Sequence, residues 1–159
     1  MKDQKNQSPS LLTVCFLSWF FTGKIPKAPG TMGSLATIPL IYLLHYFQVN
    51  TYYLITLILG LYLLSVVVTD KVQKKYHLHD PQWIVIDEVI GMLITWSFVQ
   101  RIDFPTLFLV FGSFRFFDIV KLWPASYFDR HEHGMGTITD DVVSGLFAGI
   151  FTLIMVNLF

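Results

Sequence analysis

Five acidic side chains stand in or beside strongly apolar stretches of this 159-residue sequence. Asp87 and Glu88 are adjacent in WIVIDEVIGM, Asp118 follows an aromatic run, and Asp140 and Asp141 precede the last apolar segment. A carboxylate at membrane depth costs roughly a few kcal/mol unless it is hydrated, paired or bound to a metal ion. Because Mg²⁺ prefers oxygen ligands of this kind, all five acids are predicted to hold it.

Basic and acidic side chains alternate along the next motif, FRFFDIVKLWP. Arg115, Asp118 and Lys121 recur every three residues and therefore share one broad face of a helix. Arginine suits bidentate contacts with phosphate, and lysine suits a point-charge contact. We therefore predict that Arg115 and Lys121 bind phosphate and that Asp118 orients Arg115 or binds the metal. The alternative is a ladder of ion pairs within one helix.

The segment GKIPKAPGTMGS is rich in glycine, proline and lysine, and it directly precedes the apolar segment 35–47. Its two prolines and three glycines predict an irregular backbone. Gly30, Thr31, Gly33 and Ser34 immediately precede the predicted helix, whose first N–H groups would favour an anion such as phosphate. Thr31, Ser34 and Lys24 are the predicted phosphate-binding residues here. The alternative is an ordinary loop that ends in a helix N-cap.

The motif GTITDDVVSGLFAG combines two acids with small residues. The glycines of HGMGT predict a flexible loop that ends in a threonine cap, which puts Asp140 and Asp141 in the first turn of a helix. The helix dipole favours acids there. Gly145 and Gly149 form a G-x-x-x-G pair, which lets membrane helices pack closely. Asp141 lies four residues before Gly145 and is predicted to point into that contact, so we prefer a ligand role to a capping role for it.

The elements that carry these residues need an apolar solvent. Hydrophobic residues make up 53% of the chain and charged residues 14%, and the mean hydropathy is +0.56. Soluble domains carry about 25% charged residues. The formal net charge of zero gives no bulk field that would attract nucleic acid. We predict an all-α integral membrane bundle, formed by a single domain over residues 1–159 with a polar tail at 1–10.

About four to five membrane-embedded helices and one short interfacial helix are predicted. A full span needs roughly 20 residues, with about 17 as the lower limit. The stretch 11–21 is too short to span and is assigned to the interface. The five longer apolar segments are 35–47, 52–69, 84–99, 104–123 and 142–159.

The distribution of charge orients this bundle. If the N-terminus is cytoplasmic and the five segments alternate, ten of the eleven lysines and arginines lie inside and only Arg101 lies outside. Positive residues favour the cytoplasmic side. The alternation brings the five acids, Thr31 and Ser34 to the inner membrane boundary and leaves the C-terminus outside. The predicted location is the bacterial cytoplasmic (inner) membrane, multi-pass, with the site facing the cytoplasm.

The motifs GKIPKAPGTMGS, DPQWIVIDEVIGM, FRFFDIVKLWPASYFDR and GTITDDVVSG, in this order, resemble the phosphatidylglycerophosphatase A family over about residues 23–149. The resemblance implies an all-helical, Mg²⁺-dependent membrane enzyme of phospholipid biosynthesis. Such an enzyme hydrolyses phosphatidylglycerophosphate to phosphatidylglycerol and phosphate. The positions that match the acidic and polar positions of the family are Asp87, Glu88, Asp118, Asp140 and Asp141, and Thr31, Arg115 and Lys121.

The predicted reaction is in-line attack of a metal-activated water on the terminal phosphate, with Asp87, Glu88, Asp118 and Asp141 as catalytic residues. An aspartyl-phosphate intermediate is left open. One alternative is an ion transporter, which would need its acids near the membrane midplane. Another is a different lipid-phosphate-processing enzyme, although the D-G-x-x-A-R run of CDP-linked lipid transferases does not occur. The expected partners are the lipid substrate and the membrane, with no nucleic acid and no obligatory protein partner.

Overall fold

The computed structural model describes residues 8–78, 81–129 and 134–158, and their regular elements are all helices. The all-α prediction is confirmed for these ranges, which contain no strand. A short 3₁₀ turn, Thr22–Lys24, separates the first two α-helices. The α-helices are α1 Leu11–Leu17, α2 Pro29–Ala36, α3 Ile38–Tyr46, α4 Thr51–Tyr76, α5 Ile86–Ser97, α6 Phe104–Val120, α7 Ala125–Asp129 and α8 Gly134–Leu158.

Within the described ranges, α4 and α8 are the two helices long and apolar enough to cross a membrane. They have 26 and 25 residues, whereas α6 has 17 and α5 has 12. Half of the apolar side chains of α4 are exposed, which suits a helix that faces lipid on one side. By length and composition, two of the four to five predicted membrane-embedded helices are therefore found in the described part of the chain.

The order of the helices brings distant parts of the chain to the same end. Gln100, just after α5, donates a hydrogen bond to Thr51 at the start of α4 (2.9 Å). Ser113 on α6 and Thr152 on α8 share a hydrogen bond of 2.8 Å, and Lys121 at the end of α6 contacts Asp140 near the start of α8 (2.8 Å). α5 is therefore antiparallel to α4, and α8 is antiparallel to α6. The start of α5, the end of α6 and the start of α8 consequently lie at one end of the bundle, as the predicted alternation requires.

α5 is the central helix of the bundle. Ten of its 12 residues are buried, among them Val89, Ile90, Leu93 and Trp96. A helix that is apolar on all sides must be covered by other elements, and α4, α6 and α8 all pack against it. This burial explains why a helix too short to span a membrane still carries a long apolar sequence.

The G-x-x-x-G pair of α8 packs closely against α5, as predicted. A methyl group added to Gly145 would lie 2.7 Å from the carbonyl oxygen of Gly91, and one added to Gly149 would meet the ring of Phe98. Thr95 donates a hydrogen bond across this contact to the Gly145 carbonyl (3.2 Å). The two backbones approach because neither carries a side chain there, and Asp141 lies one turn away.

The predicted flexible loop before the last helix is wrong at Gly134. α8 begins at this residue, which packs against the backbone of α4 at Val66 and Asp70, where an added methyl group would collide. The glycine allows close packing rather than loop flexibility. Asp140 and Asp141 therefore lie in the second turn of α8, and the predicted threonine cap with both acids in the first turn is also wrong.

The predicted irregular backbone of GKIPKAPGTMGS is wrong in its second half. Pro29 occupies the first position of α2, where its missing N–H costs nothing, and the helix continues to Ala36. Gly33 of α2 packs against Val85, and the Val85 N–H donates to the Leu17 carbonyl (2.9 Å). These two contacts hold α1 and α2 against Val85, the residue that directly precedes α5.

At the opposite end of the bundle, Asp103 caps α6. Its carboxylate accepts hydrogen bonds from the hydroxyl (2.8 Å) and N–H (3.1 Å) of Thr106. These two bonds lower the pKa of the exposed Asp103 carboxyl below its usual value, because they favour its charged form.

Candidate active site

Three carboxylates from two helices meet at the end of the bundle described above. Asp87 and Glu88 lie in the first turn of α5, and Asp141 lies in the second turn of α8. One oxygen of each lies within 4.8 Å of the others. Asp87 and Asp141 are only 8% and 4% exposed. Like charges at this distance repel strongly when they are shielded from water, so the cluster must hold either bound protons or a compensating cation.

The donor set of this cluster fits a hard divalent cation. Within the described chain, Glu88 Oε2 is buried and has no hydrogen-bond partner. The Asp87 carboxylate accepts a hydrogen bond from the Glu88 N–H (3.1 Å). A buried carboxylate oxygen without a partner costs free energy, which binding to a metal ion would recover. Mg²⁺ and Ca²⁺ both bind through such oxygens.

Asp118 lies at the edge of this cluster and is paired with a base. Its carboxylate forms an ion pair with Arg115 at 2.6 Å, and both side chains are largely buried. Its negative charge also repels the carboxylates of Glu88 and Asp141. The pair lies within α6, as in the predicted ion-pair ladder. The ladder does not extend to the third member, because Lys121 ends α6 with a left-handed backbone.

Lys121 instead reaches α8, where its Nζ lies 2.8 Å from the Asp140 carboxylate. Asp140 is buried and adjacent to Asp141, but it is not one of the three acids whose oxygens meet. The structure therefore brings together Asp87, Glu88 and Asp141, with Asp118 and Asp140 holding basic side chains beside them. A metal-ligand role for these last two acids remains a prediction.

α2 lies directly against the acidic cluster. A methyl group added to Gly30 would collide with Oε1 of Glu88 and would lie 3.3 Å from Nη1 of Arg115. The Ser34 hydroxyl donates to the Gly30 carbonyl (3.0 Å) and accepts a long hydrogen bond from Arg115 (3.5 Å). The predicted phosphate-binding residues Ser34 and Arg115 are thus in contact, within reach of Glu88.

The first turn of α2 has free hydrogen-bond donors. The Met32 N–H donates to the Ala28 carbonyl (3.1 Å), but in the described residues the N–H groups of Gly30 and Thr31 find no acceptor. Such groups at a helix start attract anions. Thr31 is half-buried there, whereas Lys24 is exposed on the preceding 3₁₀ turn and has no described contact with the cluster. Its phosphate-binding role remains a prediction.

Two features of the site were missed by the sequence reasoning. The sequence motif placed Gly30 before a helix, but it did not predict that Gly30 contacts Glu88. A polar seam between α4 and α8 was not predicted at all. In this seam, Gln73 donates to Thr137 and Tyr62 shares a hydrogen bond with Thr139, each at 3.0 Å. The signal was present in α4, where Ser65, Thr69 and Gln73 recur every four residues in an apolar sequence.

Comparison with known proteins gives the family of this chain. The phosphatidylglycerophosphatase A family matches residues 15–156. A phosphatidylglycerophosphatase A of Escherichia coli is 40% identical over 140 residues, which cover 85% of this chain and 78% of the relative. A phosphatidylglycerophosphatase A of Haemophilus influenzae is 36% identical over 133 residues, which cover 82% and 80%.

A third relative has a different name. A Bacteroides thetaiotaomicron protein, provisionally named a phosphatidylinositol-3-phosphatase, is 30% identical over 148 residues, which cover 89% of this chain and 92% of the relative. No solved structure matches the chain. Since the family match covers nearly the whole sequence, the chain belongs to the phosphatidylglycerophosphatase A family of phosphoric monoester hydrolases.

Proposed function

We propose that this chain is a Mg²⁺-dependent membrane phosphatase that hydrolyses phosphatidylglycerophosphate to phosphatidylglycerol and phosphate in phospholipid biosynthesis. The main support is the meeting of three carboxylates, those of the buried Asp87 and Asp141 and the half-buried Glu88, within 4.8 Å of one another beside Arg115. The names of the two phosphatidylglycerophosphatase A relatives support the substrate.

In this proposal Asp87, Glu88 and Asp141 hold the Mg²⁺ ion. When bound, the ion supplies positive charge to the phosphoryl group and helps to generate the attacking nucleophile. Glu88 contributes its buried Oε2, for which the described residues offer no hydrogen-bond partner. Asp118 is a fourth candidate ligand at the edge of the cluster.

The phosphate group is held by basic side chains and by the start of α2. Arg115 keeps its orientation through Asp118 and offers further N–H donors. The Gly30 and Thr31 N–H groups point out of the first turn of α2, where anions are favoured. Lys121, held by Asp140, adds positive charge. Donors fixed in this way stabilise the charge that develops during phosphoryl transfer.

The membrane location is part of the proposal. α4 and α8 would cross the bilayer, and the shorter α3, α5 and α6 would be embedded against them, which gives the four to five embedded helices. Lys74 and Lys75 at the end of α4 lie on the acidic-cluster side of the bundle, whereas Arg101 lies at the opposite end. This asymmetry supports a site that faces the cytoplasm in the inner membrane.

A second candidate substrate is a phosphorylated phosphatidylinositol, which the name of the Bacteroides relative favours. Both lipids carry a phosphate monoester on the headgroup, so the same cluster could act on either. An ion transporter is less well supported, because the acids lie at one end of the bundle rather than at its middle.

The test is phosphate release by purified full-length protein in lipid vesicles that contain either substrate. We expect release from phosphatidylglycerophosphate that is abolished by EDTA and restored by Mg²⁺. Asp87→Asn should lower kcat by about 100-fold or more, since it removes a charged ligand. Asp103→Asn is the matched control, because asparagine also caps helices and Asp103 lies at the far end. Release that resists both EDTA and Asp87→Asn would rule the proposal out.

A further inference from the structure

Three consecutive aromatic residues after α1 adopt a left-handed backbone. The φ angles of Trp19, Phe20 and Phe21 are 44°, 56° and 67°. In this conformation the Cβ atom lies too close to the carbonyl oxygen, so bulky residues rarely adopt it. Such strain persists only where the surroundings impose it, and it is concentrated at functional sites.

The surrounding hydrogen bonds do impose this turn. The Phe20 N–H donates to the Cys15 carbonyl (2.8 Å), and the Gly23 N–H donates to the Ser18 carbonyl (3.0 Å). The Ser18 hydroxyl accepts from the Phe21 N–H (3.1 Å), and the Thr22 hydroxyl donates to the Trp19 carbonyl (2.9 Å). The turn is therefore a fixed feature and not a loose connection.

The turn sends its aromatic rings in two directions. Trp19 points inward, and its indole N–H donates to the Ala36 carbonyl at the end of α2 (3.2 Å). Phe20 and Phe21 point outward and are 68% and 42% exposed. Leu12 on α1 is also exposed. An apolar surface is thus held in place by the rest of the N-terminal part of the chain.

This surface is joined through Gly23 to the segment that leads into the acidic cluster. Gly23, two residues after Phe21, packs against the Trp83 carbonyl and the Val85 side chain. Val85 lies two residues before Asp87 in the sequence. The aromatic turn is therefore connected directly to the segment that carries two of the three clustered carboxylates.

We propose that Phe20 and Phe21 form a lipid-binding surface that inserts into the membrane interface and holds the acyl and glycerol part of the substrate lipid beside the acidic cluster. Segments that lie in this interface bury phenylalanine side chains among the acyl chains, and the exposed Lys24 and Lys27 that follow complement anionic headgroups. The proposal rests on the lipid phosphatase function proposed above. It adds a binding surface for the lipid tail to the site that binds phosphate.

The test compares two substrates with full-length protein: dioleoyl phosphatidylglycerophosphate in vesicles, and its dihexanoyl analogue dissolved below its aggregation concentration. The variant is Phe20→Asn/Phe21→Asn, because asparagine tolerates a left-handed backbone and so preserves the turn. We expect about a tenfold higher KM for the vesicle substrate with kcat retained, since apolar contact area is lost. The kcat/KM for the dissolved analogue should stay within about twofold.

Two controls sharpen the comparison. Phe104→Gln/Phe108→Gln removes a stacked, exposed aromatic pair from the opposite end of the bundle and should change neither substrate's kinetics. Phe20→Leu/Phe21→Leu keeps the surface apolar and should retain the wild-type KM for vesicles.

Three results would overturn the proposal: an equal loss for both substrates, no loss for either, or a leucine variant as impaired as the asparagine variant. Failure of the wild-type protein to release phosphate from either substrate would instead contradict the phosphatase function itself.

Discussion

At the scale of single residues, the site depends on contacts that leave no room for a side chain. Gly30 on α2 faces the Glu88 carboxylate so closely that a methyl group would collide with it. Glu88 also carries a buried oxygen that has no hydrogen-bond partner in the part of the chain that the structure describes. The position of one candidate metal ligand is therefore set by the absence of a side chain on a different helix.

Gly30→Ala should consequently impair activity more than stability. The colliding atom is the end of a flexible side chain, so the cheapest response is movement of Glu88 away from the cluster. Misplacement of about 1 Å at a catalytic group can reduce the rate about 100-fold. We expect a fall in kcat of about 10- to 100-fold with little change in Tm, measured in the same detergent.

Gly112→Ala is the matched control for this substitution. A methyl group at Gly112 meets nothing within 4 Å, so the change should keep full activity and slightly raise Tm, because alanine favours helices by roughly 0.5–1 kcal/mol. Equal activity of the Gly30 and Gly112 variants would contradict the assigned role of Gly30.

At the scale of helices, the contact between α5 and α8 fixes the distance between the two sources of carboxylates. Here the neighbours of Gly145 are backbone atoms of Gly91, which cannot swing aside. Gly145→Ala should therefore separate the helices, lowering stability by about 1–3 kcal/mol. Because Asp141 lies one turn away, activity should fall together with Tm.

Gly60→Ala on α4 tests whether this effect is specific to the contact. A methyl group there meets nothing within 4 Å, and both substitutions make the same gain in helix propensity. A Gly145 variant with wild-type Tm and activity would show that the α5–α8 contact is looser than described.

The sequence allowed the helices and the meeting of the acids to be predicted, but not how closely the helices approach. Apolar length and alternation predicted that Asp87, Asp118 and Asp141 come to one end of the bundle. They did not predict that Gly134 begins a helix, since a glycine after histidines is typical of a loop. The packing against α4 that requires this glycine is a tertiary contact, which local sequence cannot reveal.

At the scale of the whole molecule, the two ends of the bundle face opposite sides of a membrane in the proposed orientation. Lys74 and Arg101 are both exposed and lie at opposite ends. In a Cys15→Ala background, Lys74→Cys should react with an impermeant maleimide only in inverted vesicles, and Arg101→Cys only in right-side-out vesicles. Labelling of both cysteines from one side would contradict the proposed orientation.

The proposed function depends on the binding of one divalent cation by Asp87, Glu88 and Asp141 together. The most direct measurement is Mn²⁺ binding to the purified full-length protein, followed by the loss of the free-ion signal in electron paramagnetic resonance and by competition with Mg²⁺. We predict binding that Mg²⁺ displaces, and an affinity at least about 10-fold weaker in each of Asp87→Asn, Glu88→Gln and Asp141→Asn. Wild-type affinity in all three variants would show that the cluster does not hold the ion.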